Sequence, residues 1–232
     1  MQIFYAPDIE TYPALPEEEA GHALRVLRLG EGDKVLATDG RGCFYQTEIS
    51  LIHGKRCELK IIDVIQQPPL WNSHLHIAVA PTKNMDRMEW FVEKATEIGI
   101  DSITCLHCRY SERKEIKVPR LEKIMISAMK QSQKARLPQL SGMTTFKTFV
   151  MQPWKGKKYI AHCEEGDKPL LKHIYRPGED ALILIGPEGD FSTDEIALAI
   201  ANDFEPISLG NSRLRTETAA LVACHTIRFM NQ

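Results

Sequence analysis

The stretch Leu184-Ile185-Gly186-Pro187-Glu188-Gly189-Asp190-Phe191-Ser192-Thr193-Asp194-Glu195 decides how this chain is read. An apolar strand runs into a Gly-Pro-Glu-Gly turn, and Ser192 with Glu195 has the capping-box spacing that starts a helix. Parallel α/β sheets bind ligands outside the carboxyl ends of their strands, where glycine lets backbone come close. An ordinary strand-to-helix connection has the same composition, so this segment alone leaves both readings open. A second such passage follows at Ser208-Leu209-Gly210-Asn211-Ser212-Arg213-Leu214-Arg215-Thr216-Glu217-Thr218-Ala219-Ala220-Leu221. Thr216 is placed to cap the helix that Ala220, Ala223, Cys224, Ile227 and Met230 make amphipathic, and Glu217 falls in its positive first turn. Helix capping does not account for Arg213 and Arg215, which crowd a helix N-terminus where the dipole disfavours cations; an anion nearby is expected.

Working outward, strands alternate with helices from Trp71 onward, the rhythm of βα units around a parallel sheet. The expected strands are 74–80, 102–107, 158–163, 181–186 and 206–210. Met85, Met88, Phe91, Val92, Ala95 and Ile98 recur at helical spacing, with Gly99 where that helix should end. Before Val64 the pattern differs. Short apolar runs at 3–5, 34–37, 43–49 and 57–65 are separated by Asp39-Gly40-Arg41-Gly42 and His53-Gly54-Lys55, turn chemistry that joins hairpins. One helix over 16–27 interrupts them, and Gln66-Gln67-Pro68-Pro69 resists both helix and sheet. A small β-barrel over residues 1–68 and an α/β domain over 72–232 are the expected domains.

With 29 basic and 31 acidic residues the formal charge is -2, so no overall cationic field points to nucleic acid. Charge is instead local: residues 109–136 hold nine basic side chains against three acidic ones. Such a run is often a solvated helix face; beside a polyanionic substrate it would contact phosphate. Six scattered cysteines in a chain of 232 residues do not form the framework of a small secreted domain. Cys105 and Cys108 have C-x-x-C spacing but no second pair at a zinc-like interval, and no metal is expected. The first twenty residues lack the basic and apolar regions of a leader, and no run of eighteen apolar residues occurs, so a cytoplasmic protein without a membrane span is expected.

The blocks GPEGDFSTDEI and LGNSRLRTETAALVA, about twenty residues apart, resemble the paired C-terminal signature of the ribosomal RNA small subunit methyltransferase E family, uracil-N3 methyltransferases of the SPOUT superfamily. HALRVLRL, KNMDRMEWFVEKATEIGI, RYSERK and MISAMKQSQKARLP resemble that family's other blocks in order, so the likeness covers nearly the whole chain. Asp190 departs from it where a further glycine is common, as does Gln133-Lys134-Ala135-Arg136 where a glycine-arginine ending is more usual. The resemblance implies a PUA-like N-terminal barrel, a C-terminal domain with a trefoil knot, and S-adenosyl-L-methionine as cofactor. By matching position it implies cofactor contacts from Ile185, Gly186, Glu188, Gly189, Leu209, Gly210, Leu214, Arg215 and Thr216. It further implies 16S rRNA or the assembled small ribosomal subunit as partner, and a homodimer, for which Leu221, Cys224, Ile227 and Met230 offer an apolar stripe.

Uracil-N3 methylation needs positioning and an environment that favours the anionic base. Arg215 stays protonated and can donate to a developing oxyanion, whereas Glu217 or Glu188 could accept the proton. RNA contacts are expected from Arg109, Arg113, Lys114, Lys134 and Arg136, and from Arg25 and Arg28, three apart on one helical face. A non-catalytic RNA-binding protein, or a relative acting on tRNA or a ribose 2′-hydroxyl, stays open at this point.

Overall fold

The computed structural model describes residues 2–232 and divides into two compact units. One takes the chain up to Leu70 together with Ile126–Leu137, and the other takes Trp71–Met125 and Pro138–Gln232.

The first unit is built on β1 (Ile3–Tyr5), β2 (Ala14–Leu15), β3 (Lys34–Thr38), β4 (Cys43–His53) and β5 (Arg56–Gln66), in sheet order β1-β3-β4-β5-β2. β1 and β3 run parallel and the other pairs antiparallel. Phe4, Ile9, Tyr45, Ile49 and Leu59 form its core with Ala20 and Ala23, which come from the helical segment. That segment is not the single regular helix expected. Helix α1 (Glu17–Gly21) widens into a π-helical turn, His22–Val26, closed by the Leu27 amide donating to the His22 carbonyl at 3.1 Å. Arg28 lies beyond it with φ 58°, so Arg25 and Arg28 do not stack on one helical face as expected. Residues 135–137 complete this unit beside the β3–β4 turn. The Ala135 carbonyl accepts the Gly42 amide at 2.9 Å, and the Leu137 amide donates to the Gly40 carbonyl at 2.8 Å.

The second unit carries β6 (Leu75–Val79), β7 (Ser102–His107), β8 (Gln139–Thr145), β9 (Lys157–Ala161), β10 (Ala181–Ile185) and β11 (Glu205–Ile207). All its pairs are parallel, in order β11-β9-β10-β6-β7-β8. β10, covered on both faces, is buried at all five positions and therefore reads as an unbroken apolar run. β8 escaped the sequence reading because Gln-Leu-Ser-Gly-Met-Thr-Thr at the sheet edge has no apolar rhythm. Helices α4 (Phe146–Val150) and α6 (Thr193–Ala201) supply Phe146, Phe149, Ile196 and Ala199 to one core layer. Helices α2 (Met85–Ile98) and α7 (Thr216–Met230) pack on each other, and α7 also packs on β6 and β10. The short α5 (Leu171–Ile174) completes the set, and helix α3 (Val118–Gln131) belongs to this unit up to Met125 and to the first from Ile126. Gly99 ends α2 at φ 107°, as its position in the sequence predicts.

Cys224 and Ile227 of the expected dimer stripe are buried in the unit's own core, while the exposed side of α7 presents His225 and Phe229, stacked at 5.7 Å. Arg228, on the inner side, is 1% exposed. It donates to the Gly99 carbonyl (2.8 Å), to the Ser73 carbonyl (3.2 Å) and to the Asp101 carboxylate, and its guanidinium lies 4.5 Å from the Trp71 ring centroid. Because Arg228 is buried and its loss would take the donor from the Gly99 and Ser73 carbonyls and from Asp101 together, Arg228→Ala should destabilise the protein by about 3 kcal/mol in urea unfolding, well beyond a surface substitution.

His76 sits beside Phe149 and Trp154 with its Nε2 2.8 Å from Thr104 Oγ1, and burial, with nearby His74, pushes its pKa down to about 4. The folded protein therefore keeps His76 neutral while the unfolded chain takes up a proton near pH 6.5. The stability this contributes is complete above about 6.5 and is lost as pH falls toward 4. Comparing urea midpoints at pH 7 and pH 4, His76→Gln should lose less stability on acidification than the parent, by up to about 3 kcal/mol.

Candidate functional site

Three loops meet at the carboxyl ends of β9 and β10. The pairing of Ala161 with Ile185 sets the two strand ends side by side, and the chain beyond each forms a wall. The third loop is 208–215, which leads into α7. Together they enclose a cleft of about 300 Å³ lined by Ala161, Cys163, Ile185 to Glu188, Asp190, Arg213 to Thr216 and Ala219. That is the lower end of the volumes of small-molecule sites.

Local chemistry explains each wall. A Cβ on Gly186 would come within 3.2 Å of the Phe191 ring and amide, so glycine is what lets the loop fold back over itself. The capping box then starts α6: Ser192 Oγ accepts the Glu195 amide and Glu195 accepts the Ser192 amide at 2.9 Å. Thr216 does not cap α7 as expected. Arg215 is the N-cap residue and offers no side-chain cap, while Thr216 Oγ1, buried, donates to the Gly186 carbonyl at 3.0 Å. The hydroxyl thus ties the start of α7 to the end of β10. Asp190, at φ 67°, accepts the Cys163 amide at 2.7 Å through Oδ2 and the Phe191 amide at 2.8 Å through Oδ1. It clasps the β9 wall to the β10 wall.

Of the expected cofactor contacts, the structure brings Ile185, Gly186, Glu188, Leu214, Arg215 and Thr216 together on the cleft. Gly189, Leu209 and Gly210 are not among its lining residues. A Cβ on Gly189 would meet Tyr110 at 3.1 Å instead. Cys163, Asp190 and Ala219 were missed as site residues. The parallel pairing of β9 with β10 would have found Cys163, because neighbouring strand ends share a ligand crevice. Glu188 lines the cleft with one oxygen accepting the Lys83 amide at 2.9 Å. Glu217 is buried, 3.8 Å from Arg87, and its Oε2 has no hydrogen-bond partner among the described residues. It does not line the cleft. Arg213 and Arg215 are exposed at the cleft, with no ion pair to a described residue.

The basic segment is less free than its charge implies. Arg113 donates to the Thr82 and Lys83 carbonyls, at 3.3 Å and 2.7 Å, so it holds a loop. Arg136 donates to the Arg41 carbonyl at 2.8 Å and the Gln67 carbonyl at 3.3 Å, a staple within the first unit. Arg120 pairs with Glu89 and Lys130 with Glu19. Arg109 and Lys114 are exposed, and Lys134 is half-buried. Cys105 and Cys108 are both buried, and burial pushes the Cys105 thiol up to about 12. Among the described residues no three His, Cys, Asp or Glu side chains converge as metal ligands, and no helix is long and apolar enough to cross a membrane.

A parallel α/β unit with a looped cleft at its strand ends, preceded by a small β unit, defines a class. Residues 69–228 match the RNA methyltransferase domain, and residues 15–62 match the RNA methyltransferase PUA domain. A crystal structure titled a "probable rRNA-methyltransferase" from Porphyromonas gingivalis is 44% identical, with a TM-score of 0.94, covering 100% of this chain and 98% of that one. A Legionella pneumophila methyltransferase structure with bound S-adenosylmethionine is 28% identical, with a TM-score of 0.88, covering 99% and 97%. The Ribosomal RNA small subunit methyltransferase E of Rickettsia conorii is 28% identical over 88% of this chain and 84% of its own length. The chain belongs to the ribosomal RNA small subunit methyltransferase E family of RNA methyltransferases.

The Thr216 tie is directly testable. Thr216→Val keeps the shape but leaves the Gly186 carbonyl without its donor, and should lower unfolding free energy by about 1–2 kcal/mol in urea titration. Thr216→Ser should restore most of it.

Proposed function

We propose that this protein transfers the methyl group of S-adenosylmethionine to N3 of a uridine in 16S rRNA. The observation that carries the reading is the cleft itself, where the two most specific sequence blocks meet at adjacent strand ends. Its walls suit the cofactor chemically: Ile185, Leu214 and Ala219 offer apolar surface, backbone groups of the 185–188 loop offer hydrogen bonds, and Arg213 offers a partner for a carboxylate. The P. gingivalis and R. conorii relatives support rRNA as substrate by their names, and the L. pneumophila structure supports the cofactor. The trefoil knot and the homodimer implied by the family belong to this reading, as do the domain limits 1–68 and 72–232.

When bound, the cofactor supplies an electrophilic methyl group, so the chain's tasks are to position the base and favour its anionic form. Arg215, a guanidinium with no ion pair to a described residue, donates to the uracil oxygen on which charge develops. Glu188, one of two carboxylates on the cleft wall, accepts the imide proton; Glu217 lies instead against Arg87 at the base of α7. Lys114, Arg109 and Lys134 are the phosphate contacts of this reading, with Arg25 and Arg28 on the first unit. Arg113 and Arg136 serve mainly by holding their loops.

Arg215→Ala should slow single-turnover methylation of small subunits lacking the modification by about a hundredfold at saturating RNA and cofactor. Lys114→Ala should instead raise the RNA concentration needed and flatten its salt dependence. Mass spectrometry of the labelled nucleoside should find 3-methyluridine. A ribose-methylated product, or full rate in Arg215→Ala, would overturn the assignment.

A further inference from the structure

Asp190 places a carboxylate on the cleft wall. Asp190 occupies the left-handed region at φ 67°, where glycine is unstrained and aspartate is tolerated at some cost. A residue kept in such a conformation at a binding cleft points to a task for its side chain. Both oxygens are held: Oδ2 by the Cys163 amide at 2.7 Å and Oδ1 by the Phe191 amide at 2.8 Å. Each keeps a further lone pair, because an ionised carboxylate accepts about four hydrogen bonds.

The charges around the cleft give that carboxylate a counterpart. Four charged side chains line it: Arg213 and Arg215, Glu188 and Asp190. Glu188 is drawn to the Lys83 amide, on a segment that does not line the cleft, whereas both partners of Asp190 lie on the wall loops themselves. S-adenosylmethionine has two cationic groups, its sulfonium and its ammonium, and one carboxylate. Arg213 answers the carboxylate, and a preset anion answers a cation. Resting on the cofactor reading above, we propose that Asp190 is a cofactor-specificity residue, its carboxylate pairing with a cationic group of bound S-adenosylmethionine. The same two hydrogen bonds that clasp the β9 and β10 walls hold the carboxylate in position before the cofactor arrives, so little ordering is lost on binding.

Calorimetry on the full-length protein tests this with three ligands. S-adenosylmethionine carries both cations, S-adenosylhomocysteine keeps the ammonium but has a neutral thioether, and 5′-methylthioadenosine has neither. Asp190→Asn should weaken S-adenosylmethionine about tenfold, as loss of one charged pairing does, and leave 5′-methylthioadenosine unchanged. Asp190→Gly, which the backbone at this position accepts without strain, should show the same selectivity and guards against a folding defect. If S-adenosylhomocysteine weakens along with S-adenosylmethionine, the partner is the ammonium; if it does not, the partner is the sulfonium. Equal weakening of all three ligands would reduce Asp190 to a loop clasp and overturn the proposal, as would no weakening in either variant. A parent protein that binds none of the three would sink the cofactor assignment itself, an outcome distinct from the other two.

Discussion

The second unit turns on one buried cation. Arg228 projects from the last turns of α7 into the space where β6 begins, α2 ends and β7 begins, and its guanidinium meets all three through Ser73, Gly99 and Asp101. Asp101 in turn accepts the Leu75 amide at 2.7 Å, so the same carboxylate that answers Arg228 also sets the first residue of β6. A guanidinium suits this place because its planar fork reaches several acceptors at once while its face lies against Trp71. The far end of the same helix carries Arg215 and Thr216. A clamp at one end therefore fixes where the other end presents its residues to the cleft.

That arrangement places the cleft among elements already locked. Thr216 bonds the Gly186 carbonyl, Asp190 bonds the Cys163 amide, and Glu195 closes the cap on α6. The three loops are spans between fixed points. What faces the cleft is a pair of arginines, two carboxylates and apolar wall.

Much of this was legible in the sequence, for identifiable reasons. β10 announces itself because burial at every position demands an unbroken apolar run, and Gly99 and the Ser192–Glu195 box mark helix ends by local chemistry alone. The cleft loops were readable to the extent that each lies next to such a signal. Residues whose roles depend on distant partners were not. Thr216 looks like a cap until the carbonyl of Gly186, thirty residues earlier, is brought beside it. Arg136 reads as an RNA contact by resemblance, yet it donates to the Arg41 and Gln67 carbonyls, and nothing local marks Arg228 as buried. β8 was invisible because an edge strand needs no apolar alternation, and the π-helical turn before Arg28 because no local pattern announces the extra residue.

The share of Ile126–Leu137 in the first unit has a consequence for how the protein is made. Synthesis proceeds from the amino end, and a domain folds as a whole once its parts have emerged. The N-terminal sheet leaves the ribosome with the β3–β4 turn still lacking the Ala135 and Leu137 backbone partners it has in the finished fold. Nearly two thirds of the second unit's sequence, Pro138–Gln232, is still unmade when those residues appear, so the two units mature interleaved in time. A gene fragment ending at Leu70 would encode a sheet without its closing segment, which makes the two units poor candidates for exchange between proteins as separate cassettes.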